Sequence, residues 1–380
     1  MTNHFYVQGA TMVQDWDPAT RAAAVRRLGE QWIRELAGPG AQGGFVCSPA
    51  GLWLALTAVA AGARGATAGE LRSLLGVADK EAAAVVTEAA RDWGRTEALR
   101  VATRVWSRVT VRQEYMAALP DIGFGPVDTD EIDAWVCERT DGLIERLPVR
   151  LDDGVALALV NALALKAFWE TAFDVNRTRE VPFTDAAGRT RPAATMHAPV
   201  PARDVWTVDG AYVVELRCRT EPGGAAPARI RFVLGEPGAG AAQVLPAAWA
   251  PRERRAPLDG VQVTVGVPRF TLRTTVQVTD HLPALGVRLA TSMAAADFSG
   301  MSPRRLALSA VVQEAVVKIA EEGVEAAAVT VVMMRTSVAP RPRPTRHIAF
   351  DRPFGIVVLD GTADVPLFAG WQADAPVHPG

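Results

Sequence analysis

Residues 319–355 read IAEEGVEAAAVTVVMMRTSVAPRPRPTRHIAFDRPFG, and their local signals conflict. Three alanines that follow glutamates favour a helix. Val329-Thr330-Val331-Val332 favours a strand. The Pro/Arg alternation through Pro340, Pro342 and Pro344 fits the interior of neither. Laid out as a strand from Val324, the run separates by parity, because side chains alternate between faces. Val324, Ala326, Ala328, Thr330, Val332 and Met334 are all uncharged, whereas Glu325 and Arg335 fall on the other face. Twelve such residues would extend roughly 40 Å, far beyond the usual strand of about five to six residues. Small side chains cluster at one end and a proline-stiffened, extended tether follows at the other. That combination suits a segment that begins as an exposed loop and can later slide between two strands.

The rest of the chain bounds the possibilities. It has 380 residues, 49% of them hydrophobic and 22% charged, ordinary for a globular protein with a large core. The formal net charge of −2 recruits neither nucleic acid nor an anionic membrane. Lys80, Lys166 and Lys318 are the only lysines among 40 basic residues, a compositional bias toward arginine. Cys47, Cys137 and Cys218 are odd in number and far apart, which argues against a disulfide framework or a zinc site. The first residues lack a basic and an apolar signal region, and no stretch approaches the ~20 apolar residues of a membrane span. The expectation is a soluble, reduced, cytoplasmic monomer without metal or cofactor.

Along the chain, helices come first. Ser48-Pro49 opens a helix whose apolar run from Gly51 to Ala61 implies burial on all sides. Thr67 and Glu70 have capping-box spacing, and Gly76 closes that helix. DEIDAWVCERTDGLIERL repeats the helical period and ends near Gly142. From about residue 97 strands alternate with helices, and after about 155 strands dominate. GVALALVNALALKAFW reads as a central strand buried on both faces. VWTVDGAYVVELRCR, ARIRFVLGE, VQVTVGVPRFTLRTTVQV, LALSAVVQEAVVKIA and FGIVVLDGTADVPLFAGW follow, separated by turn residues. The whole reads as one α+β domain over 1–380.

No nucleotide-binding, zincin or serine-hydrolase motif is present. His4, His197, His281, His347 and His378 have no ligand-pair spacing. Cys47, beside a helix start, is either an activated thiol or a small buried residue, the second being favoured. RERR at 252–255 and Arg341, Arg343 and Arg346 are charge clusters, either solvated faces or a site for an acidic or glycosaminoglycan partner.

EEGVEAAAVT resembles the hinge of the serpins, the serine protease inhibitor family. FDRPFGIVVLD…PLFAG resembles the family's C-terminal signature, and NALALKAFWETAF its Asn-Ala-x-x-x-Lys-x-x-Trp-x-x-x-Phe strand. CSPAGLWLALTAVAAGARGATAGELRSLLG and EIDAWVCERTDGLIERL resemble its second helix and the helix over its main sheet. These motifs keep the family's order over about 20–372, and the composition is similar to that of bacterial, actinobacterial-type members. The resemblance implies three sheets, eight to nine helices and an exposed reactive-centre loop at about 323–347. It also implies a suicide inhibitor, not an enzyme: a protease cleaves the loop and forms an acyl-enzyme, and the loop inserts as a new strand of the main sheet. A non-inhibitory serpin-fold binding protein is the alternative, and an enzyme built on the fold a remote third.

Residue by residue, the resemblance places the hinge at Glu321, Glu322, Gly323, Val324, Glu325, Ala326, Ala327, Ala328, Val329 and Thr330, with Val324 where many inhibitory members have threonine. Counting sixteen residues from Glu321 places the reactive bond at Ser337–Val338. Arg335–Thr336 competes, because arginine at the cleaved position attracts trypsin-like enzymes. A small residue there favours an elastase- or subtilisin-like serine protease as partner, with a trypsin-like one as the other possibility. Trp169, Arg269 and Glu321 match the top of the sheet opening. Ser48 and Asn161 match a central polar cluster, in which Gln313 replaces a histidine and Gly51 a second serine.

Overall fold

The computed structural model describes residues 16–38, 43–96, 99–140, 142–146, 156–165, 167–220, 226–258, 260–324 and 344–376. Helices dominate the first third, each placed by a local signal. Asp17 caps Pro18–Leu36, its carboxylate accepting from the Thr20 amide at 2.7 Å. Ser48 caps Pro49–Ala60 in the same way through the Gly51 amide at 3.0 Å, and every residue of that helix is buried. Gly65–Leu75 ends at Gly76, whose φ of +87° is the left-handed conformation glycine tolerates. The capping box expected at its start is not formed. Thr67 accepts instead from the Asp297 amide, and the Glu70 carboxylate takes the amides of Arg288 and Leu289 at 3.1 and 2.7 Å. Distant donors displace a local cap because the two segments pack against each other. Lys80–Trp93, Gln113–Ala118, Thr129–Arg139 and the single turns Ala241–Val244 and Val278–His281 bring the described helices to eight.

Three large sheets and one two-stranded pairing, Ala167–Phe168 with Gly323–Val324, carry the rest. The seven-stranded sheet orders Phe45–Cys47, Pro366–Gln372, Phe354–Leu359, Arg229–Leu234, Ala211–Arg217, Val205–Val208 and Ala256–Pro257. Its tightest corner is the two-residue turn Asp209-Gly210, both with positive φ, joining Val205–Val208 to Ala211–Arg217. The four-stranded sheet orders Thr345–Ala349, Gln262–Pro268, Thr190–Val200 and Arg179–Thr184. The five-stranded sheet orders Phe270–Gln277 (the edge strand), Ala310–Ile319 (the hinge strand), Leu157–Leu165 (the centre strand), Leu99–Ser107 and Gly123–Pro126. The long run VQVTVGVPRFTLRTTVQV therefore serves two sheets. It breaks at Pro268, which has no amide to continue the ladder, and Arg269 turns to donate its own amide to Ala194 at 2.8 Å.

A single large cluster that includes Trp32, Trp53, Phe232, Phe350, Phe354 and Phe368 forms the main core. A smaller one lies on the five-stranded sheet, where Ile132, Trp135 and Val136 of helix Thr129–Arg139 pack on Trp106, Ala158, Val160 and Ala162. Trp106 and Trp135 meet edge to face at 6.3 Å. This is the α+β, three-sheet architecture that the resemblance implied.

Candidate functional site: the opening in the five-stranded sheet

The hinge and centre strands run parallel and are in register over five pairs, from Ala310↔Ala158 to Glu314↔Ala162. Above that point both strands continue, yet each keeps only its outer neighbour. The centre strand stays paired with Leu99–Ser107 up to Leu165↔Leu99, and the hinge strand with the edge strand up to Ile319↔Phe270. Among the described residues the sheet is therefore closed below and parted above.

Behind the closed half lies a polar lock. Gln313 stands opposite Asn161 in the register. Its amide nitrogen donates to the Ser48 carbonyl at 2.8 Å, while its amide oxygen accepts from the Ser48 amide at 3.0 Å. The Ser48 hydroxyl in turn donates to the Leu367 carbonyl at 2.6 Å. Gln313 thus grips the backbone N–H and C=O of one buried residue and ties the start of helix Pro49–Ala60 to the sheet. Asn161 donates to the Thr103 hydroxyl at 2.8 Å, a partner that its own motif does not announce. On the opposite face Glu314 is buried and pairs with Arg273 at 2.8 Å, its other oxygen without a hydrogen-bond partner among the described residues. Burial raises the Glu314 carboxyl above the usual glutamate range, the nearby charge of Asp133 adds to this, and Arg273 only partly offsets them.

The top of the opening is held differently. Beyond Ile319 the chain turns at once, Ala320 bridging Gly323, and Gly323–Val324 lies antiparallel against Phe168 and Ala167. Trp169 is buried and donates its indole N–H to the Ala320 carbonyl at 2.9 Å, and its amide donates to the Glu322 carbonyl at 3.0 Å. Arg269 donates from Nε to Glu321 at 2.6 Å, and the Thr178 hydroxyl donates to the same oxygen. Burial would raise the Glu321 carboxyl, but these hydrogen bonds outweigh it and hold the group below the usual range. Trp169, Arg269 and Glu321, proposed together from the sequence, are brought together; Thr178 was not foreseen, since nothing in its spacing points to the hinge. At Gly323 a Cβ would fall 2.1 Å from the Ala167 carbonyl oxygen, and φ is +151°. No side chain fits there.

The far end of the expected loop is also a strand. Thr345–Ala349 runs parallel to Gln262–Pro268, preceded by a hydrogen bond from the Gln262 amide to the Pro344 carbonyl at 2.9 Å. Between these anchors, hinge residues Glu325 to Thr330 and both candidate bonds, Ser337–Val338 and Arg335–Thr336, lie outside the described residues. The alternative of an activated Cys47 fails. The residue is buried in strand Phe45–Cys47, where desolvation pushes its thiol up, and Cys218 is likewise pushed up to about 12. No described helix is long and apolar enough to cross a membrane.

The model of the family Serpin (serine protease inhibitor) matches residues 23–374. Human Serpin B9 is 28% identical over 354 residues, covering 85% of this chain and 91% of that protein. Among solved structures, the chain is similar to Serpin48 of the insect Tenebrio molitor, with a TM-score of 0.77, 24% identity, and coverage of 94% and 99% of the two chains. Human thyroxine-binding globulin gives a TM-score of 0.78 at 20% identity, covering 94% and 99%. These relatives are eukaryotic, so the expected likeness to bacterial, actinobacterial-type members gains no support from them. With a parted parallel strand pair, a glycine hinge laid at its mouth, and a family match over nearly the whole length, the chain belongs to the serpins.

Proposed function

We propose that this chain inhibits a serine protease as a suicide substrate. One observation carries the reading: a hinge aimed into a gap between two parallel strands. A strand that continued from Gly323–Val324 would run antiparallel to both the centre and hinge strands. Its insertion would replace one parallel contact by two antiparallel ones, the more stable pairing per residue. The uncharged parity from Val324 to Met334 supplies side chains fit for that slot. Cleavage at Ser337–Val338 would free the loop while the protease is held as an acyl-enzyme, and insertion would carry it away, a mode of strand addition for which this family is the usual example. Cleavage at Arg335 would shorten the inserted strand by two residues, roughly 7 Å of travel, and so favour hydrolysis over trapping. A small residue at the cleaved position directs the proposal to elastase- or subtilisin-like enzymes. The test is incubation with elastase-, subtilisin- and trypsin-like proteases, followed by SDS electrophoresis and mass spectrometry of the nicked loop. Covalent complexes and a cut after Ser337 are expected; cleavage without any adduct overturns the reading.

The Gln313 grip on Ser48 favours a second reading, a non-inhibitory binding protein whose sheet stays shut. Nicking the loop separates the two. A large rise in melting temperature reports insertion, and an unchanged one supports the binding protein.

A further inference from the structure

A cavity of about 1030 Å³ lies elsewhere, between helix Pro18–Leu36, strands Val205–Val208, Ala211–Arg217 and Arg229–Leu234, and the turn that carries Arg252–Arg254. Nine arginines line it against four carboxylates. The imbalance is sharpest at its inner wall. Glu215, 5% exposed, is shared by Arg229 at 2.9 Å and Arg231 at 2.8 Å. Arg255, half-buried, makes no ion pair among the described residues: its hydrogen bonds there go to one backbone carbonyl, Ala250, at 3.0 and 2.8 Å, while Glu215, Asp364 and Glu253 act on it only at longer range. The guanidiniums of Arg231 and Arg255 both approach the Trp206 ring, at 5.1 and 4.8 Å from its centre. Trp206 is only 7% exposed and its indole N–H has no hydrogen-bond partner among the described residues. Burial pushes the pKa of Arg231 and of Arg255 down, and neighbouring arginines add to it.

Clustered, partly desolvated cations with too few anions are costly unless something supplies the missing charge. Guanidinium forks match tetrahedral oxyanions by bidentate hydrogen bonds, better than lysine would. The cavity has the size of a small-molecule site. We propose that this cleft binds a compact soluble molecule bearing several closely spaced phosphate or sulfate groups, with Arg252 and Arg255 as its principal ligands. The proposal does not depend on whether the loop inhibits a protease.

The test is titration calorimetry and thermal melting of the intact chain with three probes: inorganic tripolyphosphate, sucrose octasulfate and a long heparin. Saturable one-to-one binding of the two small probes, weakening with added salt, is expected. Arg255→Gln and Arg252→Gln should each weaken it about tenfold, the loss of one charge-assisted contact. Arg252 is exposed, so its variant keeps the unliganded melting temperature, and Arg91→Gln, outside the cavity, should bind like the parent. Small probes that fail to saturate at millimolar concentration, affinity equal to the parent's in Arg252→Gln and in Arg255→Gln, or binding of heparin alone would each overturn the assignment.

Discussion

The lower and upper halves of the hinge and centre strands are the same two strands, yet they are held by different forces. Below Glu314 a backbone ladder joins them and Gln313 clamps the Ser48 peptide behind it. Above Glu314 the ladder between them ends, and the mouth is held by the short pairing of Gly323–Val324 with Ala167 and Phe168 and by side chains: Glu321 with Arg269 and Thr178, and Trp169 with the Ala320 carbonyl. A ladder resists opening along its whole length and senses no pH. Side-chain contacts release one at a time and respond to charge. The difference teaches where a strand would enter: above Glu314, where no backbone ladder joins the two strands.

The strongest way to break this comparison is to make the upper slot refuse its occupant. Ala328→Glu places a charge on the uncharged parity. It should leave the native melting temperature unchanged and convert the inhibitor into a substrate, with covalent complexes lost entirely; an unchanged complex yield sinks both the parity argument and the proposed function. Next in size is Gln313→Ala, which takes the only partner that the buried Ser48 amide has among the described residues and leaves the Ser48 carbonyl with the Leu52 amide alone. A loss of about 3 kcal/mol is expected in denaturant unfolding, without faster amide exchange at Trp169. Glu321→Gln acts on the other half. It should cost about 2 kcal/mol locally and speed exchange of the Trp169 and Phe173 amides roughly tenfold or more, leaving the Ala310–Glu314 ladder protected. Equal effects on both halves would show that the two are one cooperative unit.

The smallest effect is the titration. Glu321 is depressed, so its contribution is complete above the unfolded glutamate pKa and is lost as pH falls through the lower folded value. Glu314 is raised and carries the opposite sign: its buried charge weakens the fold above its folded pKa, and protonation relieves that as pH falls. Mild acid should therefore ease the closed half before stronger acid loosens the mouth. A fluorine-labelled tryptophan at position 169 would report the second event, and Glu321→Gln should abolish it.

Much of this was legible beforehand, and for identifiable reasons. Short apolar runs bounded by turn residues mark strands buried on both faces, and so ARIRFVLGE and FGIVVLDGTADVPLFAGW read correctly as strands. Ser48-Pro49 and Gly76 are local backbone signals and set helix ends where they stand. Thr67 and Glu70 show the limit. The same spacing that makes a capping box locally is overridden when amides near residues 288 and 297 arrive from across the fold. The split of VQVTVGVPRFTLRTTVQV between two sheets was equally hidden, since Pro268 marks a break but not which sheet each half joins.

By itself the sequence determined the element types and the family likeness, because these rest on periodicity, backbone-special residues and contiguous motifs. Only the tertiary structure decided that Gln313 answers the Ser48 backbone, that Thr103 answers Asn161 and Thr178 answers Glu321, that Cys47 is a buried thiol, and that arginines from five separate segments line one cavity with Trp206. Hydrogen bonding and desolvation depend on which groups meet in space, and chain order does not encode that proximity.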